Sequence, residues 1–206
     1  MKLSTISLLV VLIANAVLAQ KRDTLFYENG KIKGIGILDD NGKEGVWKFL
    51  YPNGDTNSLL SFVNGQLHGH QKYYSFQGKL IAKEYYEGGL LEDSAVYYYP
   101  NGQIEKHGKY NDGLYQGKWL FFYENGNLKR VGHYQLGSPN GQWEFYFESG
   151  QLNQKGTLIN GLEDGSWIYF DEKGNPQFEG KWNLGEKTGL WYSFKRGKKR
   201  KWKNFD

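Results

Sequence analysis

A chain of 206 residues without a cysteine excludes disulfide frameworks, thiol nucleophiles and cysteine-held metals. Aromatic residues make up 17% of it and glycines number 28 against 4 prolines; Leu, Ile and Val are too sparse for a conventional globular core, yet this many aromatics argue against disorder. The net charge of +4 is unevenly spread, because seven Lys or Arg and one Asp between Lys195 and Asp206 carry a local +6 and leave the preceding mature body at about −3.

The first element in chain order is Met1 to Ala19. Lys2 precedes an apolar run from Ile6 to Leu18 broken only by Asn15, and Val17, Leu18 and Ala19 lead into Gln20. That is the pattern of a secretory signal peptide, and the run is short of the ~20 residues that a membrane helix needs. Since no cysteine follows, lipid attachment is not expected. The expectation is an exported, periplasmic or extracellular chain beginning near Gln20.

From there the chain aligns on itself every 24 residues. Anchors fall at Lys21, Gly45, Gly69, Asp93, Gly117, Gly141, Gly165 and Gly189, and Trp47, Trp119, Trp143, Trp167 and Trp191 each stand two residues after one. Nine residues after the first seven anchors come Gly30, Gly54, Gly78, Gly102, Gly126, Gly150 and Gly174, four of them preceded by Asn. Asn-Gly is the pattern of a type I′ hairpin turn. A second column, Gly65, Gly89, Gly113, Gly137, Gly161 and Gly185, marks the turn between hairpins.

Between the turns lie aromatic runs of strand length, such as Trp119 to Tyr123 and Trp143 to Phe147. A two-residue turn at Gly126 sets Trp119 opposite Gly132, and the same arithmetic pairs Trp143 with Gly156 and Trp167 with Gly180. A Trp ring lying across its facing glycine would cover bare backbone. The expected fold is all-β: an elongated, single-layer antiparallel meander of tandem 24-residue hairpins over 20–194, with a basic strand over 195–206 and no helix in the mature chain.

Tyr110, Asn111, Asp112 and Gly113, followed by Gly117, Lys118 and Trp119, resemble the aromatic-x-x-Gly-x-x-x-Gly-x-Trp signature of MORN-variant repeats, and the match recurs from Tyr134, Leu158 and Trp182. The chain is similar to the bacterial YwqK-type, antitoxin-like group. The resemblance implies a single-layer β fold used for protein or lipid contact, without cofactor or catalysis.

Catalytic and metal chemistry finds little footing. His68, His70, His107 and His133 fall at unrelated places in the frame, and His68 with His70 lack a third ligand in sequence reach. Gly180 to Thr188 resembles a phosphate loop without its strand-to-helix context. Glu84, Glu87, Glu92, Asp93, Glu163 and Asp164 sit near expected turns, where capping is the commoner use. No enzyme, metal or cofactor is expected.

Binding residues are sought where the repeat departs from itself. Gln71 and Ala95 stand in the Trp column, and Tyr73, Tyr74, Tyr85, Tyr86, Tyr97, Tyr98 and Tyr99 cluster around them, offering rigid, half-polar contact surface. The plainer alternative is that these tyrosines fill structural columns. Lys198, Lys199, Arg200, Lys201 and Trp202 are candidates for contact with an anionic surface, or else protect a sheet edge. The expectation is an interaction scaffold whose partner is a protein. Anionic lipid or cell-wall glycan is the alternative, a partner toxin a minor one, and no nucleic acid is expected.

Overall fold

The computed structural model describes residues 21–206; the expected signal peptide, 1–19, lies outside the described residues. Seventeen strands follow one another: β1 (Lys21–Phe26), β2 (Ile32–Asp39), β3 (Gly42–Leu50), β4 (Thr56–Val63), β5 (Gln66–Leu67), β6 (Gly69–Tyr74), β7 (Leu80–Glu87), β8 (Leu90–Tyr98), β9 (Ile104–Asn111), β10 (Leu114–Phe122), β11 (Leu128–Gln135), β12 (Ser138–Tyr146), β13 (Leu152–Ile159), β14 (Leu162–Phe170), β15 (Pro176–Asn183), β16 (Glu186–Lys195) and β17 (Lys198–Phe205). β5 and β6 share one strand position, interrupted at His68, and both pair with β4. Every other strand pairs antiparallel with the next, giving a single meander without helix among the described residues. The basic segment at the C-terminal end is β17, hydrogen-bonded to β16.

The first glycine column does not form the type I′ turn expected of it. At Gly126 the glycine N–H donates to the Tyr123 carbonyl (2.9 Å) and the Tyr123 N–H to the Asn127 carbonyl (2.8 Å), while only Gly126 of the turn has positive φ, +87°. This is a type I turn closed by a left-handed glycine, and Asn125 serves by accepting the Asn127 N–H on its side chain (2.9 Å). The type I′ geometry belongs to the second column, as at Asn160 (φ 50°) and Gly161 (φ 84°). There even Leu136 and Leu184 take φ of 50° and 45°, since a two-residue hairpin turn must be of this hand to match the strand twist. The expected register nevertheless holds beyond the turn, because a bulge between Phe121 and Phe122 shifts it by one and restores Trp119 opposite Gly132.

What the register did not predict is where the indole goes. A Cβ added at Gly132 would overlap the ring of Trp143, not that of its hairpin partner Trp119. The same holds for Gly36 under Trp47, Gly108 under Trp119, Gly156 under Trp167 and Gly180 under Trp191. Each tryptophan therefore lies over the glycine of the strand before it, eleven residues earlier, and fastens one hairpin to the preceding one. Trp47 stands opposite Leu60 in its own hairpin, so pairing within a hairpin was never the rule.

This packing lets a single layer have a core. Trp47, Trp119, Trp143, Trp167 and Trp191 are 0–3% exposed. Glycine lies beneath each ring, and a residue from the incoming strand lies above: the Lys43 ammonium 5.4 Å from Trp47, Tyr115 4.0 Å from Trp119, the Lys187 ammonium 4.5 Å from Trp191. Tyr110, Tyr134 and Trp182 close the side edge-on, with ring centroids at 5.1, 5.2 and 5.7 Å from Trp119, Trp143 and Trp191. The indole N–H of Trp47, Trp119, Trp167 and Trp191 donates to the carbonyl ten residues back, as from Trp47 to Ile37 (2.8 Å) and Trp119 to Lys109 (2.9 Å), whereas that of Trp143 is buried without a partner among the described residues. Burying one such ring removes about 150–250 Å² from water, about 4–6 kcal/mol at ~25 cal/mol per Å². That outweighs the roughly 0.5–1 kcal/mol cost of a glycine in a strand.

Gly156→Ala is therefore expected to cost about 1–3 kcal/mol through overpacking against Trp167, and to have little further effect in a Trp167→Ala background. Urea denaturation of the four proteins of this cycle checks the coupling; strictly additive losses would show that ring and glycine do not meet.

Candidate functional site

The two faces of the sheet are chemically unlike. One carries the tryptophan ladder and is sealed by its own side chains. On the other, cross-strand pairing sets one continuous row: Thr24, Ile35, Lys48, Leu59, Lys72, Lys83, Val96, His107, Leu120, Val131, Glu144, Lys155, Ile168, Glu179, Tyr192 and Lys201. From β10 to β16 this open face hollows into a cavity of about 950 Å³. Lys118, His133, Glu144, Lys155, Ile168, Glu179, Lys181 and Tyr192 are among its lining residues. No local sequence signal marks the hollow, which arises from twist accumulated over several hairpins.

The tyrosine-rich break divides between the two faces. Tyr73 and Tyr97 flank Ala82 on the tryptophan side, with Tyr86. Tyr74, Tyr85 and Tyr98 lie on the open side, where Tyr85 meets His70 edge-on (5.2 Å) and the Lys83 ammonium lies 5.8 Å from the Tyr98 ring. Tyr99 belongs to a stapling column instead: its hydroxyl donates to the Phe122 carbonyl of the next hairpin (2.8 Å), as Tyr27, Tyr51 and Tyr123 do to Leu50, Tyr74 and Tyr146. All seven tyrosines are half-buried.

Within the break, polar groups take over the work of indole and glycine. Gln71, 0% exposed, accepts the Ser61 N–H (2.6 Å) and donates to the Ser61 carbonyl (3.2 Å), the group ten residues back that a Trp would have used. Ala95 leaves the space above the preceding strand open, and there the position of the glycine column holds Glu84. Its carboxylate accepts the Tyr97 hydroxyl (2.7 Å) and the Tyr86 hydroxyl (3.1 Å), and Tyr97 in turn meets Tyr110 (3.0 Å). The Lys106 ammonium lies 4.4 Å from the Tyr97 ring and donates to Tyr115 (2.7 Å). The clue was present in sequence: Glu84 is eleven residues before Ala95, where each of the five column tryptophans has a glycine.

Burial raises the Tyr97 hydroxyl's pKa well above the ordinary range, helped by its hydrogen bonds to Tyr110 and Glu84. Tyr73 is raised by burial and by the nearby Tyr86 and Glu84, and Tyr110 chiefly by burial. On the open face Tyr146 is pushed up to about 12, by burial and then by its hydrogen bond to Glu144.

The remaining candidates have plain placements. His107 stacks on Phe122 (5.8 Å), His133 lines the cavity, and His68 sits where β5 gives way to β6. No three His, Asp or Glu side chains converge as a metal site among the described residues. Glu92 caps the Asp112 N–H (2.7 Å) and Asp164 the Leu184 N–H (3.3 Å). Gly180 to Thr188 runs strand to turn to strand. In β17, Lys199 pairs with Glu179 and lies 4.1 Å from the Tyr192 ring. Trp202 packs on Phe178 (5.0 Å) and Phe205 (6.0 Å) while staying half-exposed; Lys198, Arg200 and Lys201 are exposed.

The raised tyrosines give a pH dependence with a fixed sign. Unfolded tyrosine ionises near pH ~10 and these folded ones later, so the stability they hold is complete below that pH and is lost as pH rises toward the folded values. Thermal melts across the alkaline range should show a steep fall that Tyr97→Phe makes shallower; an unchanged slope in the variant would contradict the Glu84 network.

A model of the MORN repeat variant matches residues 43–64, 67–89, 94–112, 115–136 and 139–160, just over half of the chain, and the matched segments follow the hairpin period. A search of curated proteins found no match. Among solved structures, the chain is similar to one of a GtfA/B complex bound to UDP and GlcNAc (12% identity, 54% of this chain and 22% of that one, TM-score 0.24). It is also similar to one of TcdB2-TccC3-Cdc42 (12% identity, 84% of this chain and 14% of that one, TM-score 0.20). The chain spans less than a quarter of the length of either solved chain. With five repeats matched in register with its hairpins, the chain belongs to the MORN repeat variant family.

Proposed function

We propose that this protein is an exported, non-catalytic interaction scaffold that holds a protein partner on its open face. The inequality of the two faces carries this proposal. The aromatic face is consumed in holding the sheet together, whereas the open face offers a row of polar and apolar side chains with a hollow of about 950 Å³. A hollow of this kind is where binding sites concentrate. Of the seven tyrosines, Tyr74, Tyr85 and Tyr98 share the open face on β6 to β8, outside the hollow, and would extend the contact with the partner. Tyr73, Tyr86 and Tyr97 lie on the opposite face, around Glu84, and Tyr99 is a staple.

A YwqK-type kinship is the finer form of the same proposal, with a toxin neutralised by binding as the partner. Contact with anionic lipid or cell-wall glycan is the second reading, favoured by the exposed Lys198, Arg200, Lys201 and Trp202 of β17.

Expression of the full chain should yield a secreted or periplasmic product whose intact mass lacks residues 1–19; a cytoplasmic, full-mass product would remove export from the proposal. Pull-downs by the processed chain from envelope extract and culture fluid should capture a protein that resists high salt and is lost in a Tyr74→Ala, Tyr98→Ala variant with an unchanged melting curve. Binding confined to anionic liposomes or purified cell wall would move the function to the envelope surface.

A further inference from the structure

Resting on the scaffold proposal, we infer that the hollow between β10 and β16 binds an extended, acidic polypeptide segment lying across the strands. The charges inside it are unevenly satisfied. Glu144 accepts the Tyr146 hydroxyl (2.6 Å) and Glu179 is paired with Lys199, so both acids are engaged by neighbours. Lys118, Lys155 and Lys181 line the same hollow, are exposed, and have no carboxylate within ion-pair distance among the described residues. Even Lys155, directly opposite Glu144 in the register, forms no ion pair with it. The hollow thus presents three uncommitted ammonium groups, with Ile168 and Leu190 as apolar floor.

Spacing selects the occupant. Lys118 on β10 and Lys181 on β15 lie in one row across the strands, and Lys155 on β13 lies one row over, opposite Glu144. They are three and two strand steps apart, about 14 and 10 Å at ~4.8 Å per step, with a sideways offset of about 7 Å for Lys155 that the long lysine side chains span. An extended polypeptide advances about 3.3 Å per residue, so carboxylates about four and then three residues apart meet the three cations in turn. The side chains between them point down to the apolar floor or out to water. Binding of this kind uses no sheet edge, since the segment crosses the strands instead of adding one.

The probe is a synthetic peptide of Ser and Ala with Glu at its second, sixth and ninth positions, titrated against the processed chain by calorimetry at moderate salt. The expected result is saturable binding weakened at least about tenfold, or ~1.4 kcal/mol, in a Lys155→Gln, Lys181→Gln variant. Binding should be unchanged in a Lys198→Gln, Arg200→Gln, Lys201→Gln variant and absent with the Gln version of the peptide. Equal loss in the β17 variant, equal binding of the Gln peptide, or preference for anionic vesicles or a sulfated glycan would each overturn the assignment. Capture of a salt-resistant protein through Tyr74 and Tyr98 by a chain that ignores the acidic peptide would sink this site alone and leave the scaffold standing.

Discussion

A tryptophan ring laid on the glycine of the preceding strand is the interaction on which everything else in this sheet depends. One layer of strands has no second layer to bury its apolar side chains, and the meander solves this by letting each strand serve as floor for a ring of the next. Gly132 exists so that Trp143 can lie flat, and Tyr134 then closes the edge of the same ring. The coupling runs between hairpins, so no hairpin completes its own core. Stability is therefore shared between nearest neighbours, as in other repeat proteins.

Past the first strand, where Asp23 stands in the tryptophan column, one region of the described residues departs from this device, and it does so consistently. Where Trp gives way to Gln71 and Ala95, the residues eleven positions earlier are Leu60 and Glu84 instead of glycine. Gln71 keeps the backbone hydrogen bond that an indole would make, and Glu84 fills vacated space as the hub of a tyrosine network. An apolar stack has been replaced by directed hydrogen bonds, which demand more exact geometry. The middle of the array is held together by different physics from its flanks.

Strand positions, period and architecture were legible because the side-chain alternation and the glycine columns are local and recur every 24 residues along the chain. The Trp119 to Gly132 register was legible as well. The direction of the ring was not, since register fixes which residues face each other and not which way a side chain leans; Trp47 opposite Leu60 and Trp191 opposite Lys203 were the clues against pairing within a hairpin. The turn type at the first column was not legible because Asn-Gly suits both a type I′ turn and an Asx-supported type I turn, and the type I′ geometry of the second column was not legible because Leu136 at positive φ gives no warning in sequence. The hollow on the open face depends on cumulative curvature that no short window of residues encodes.

The eleven-residue link also limits how such a chain can be shortened or lengthened. Removing any whole 24-residue unit preserves strand order, yet it joins the glycine column of one unit to the tryptophan column of another. Among Gly108, Gly132 and Gly156 and the rings that follow them, the units are interchangeable. Excision of 93–116 instead brings Glu84 to eleven residues before Trp119, setting a carboxylate where the indole needs bare backbone. Hairpins of the central region are thus heritable only as a block with their neighbours, and the true module of this architecture begins midway through one hairpin and ends midway through the next.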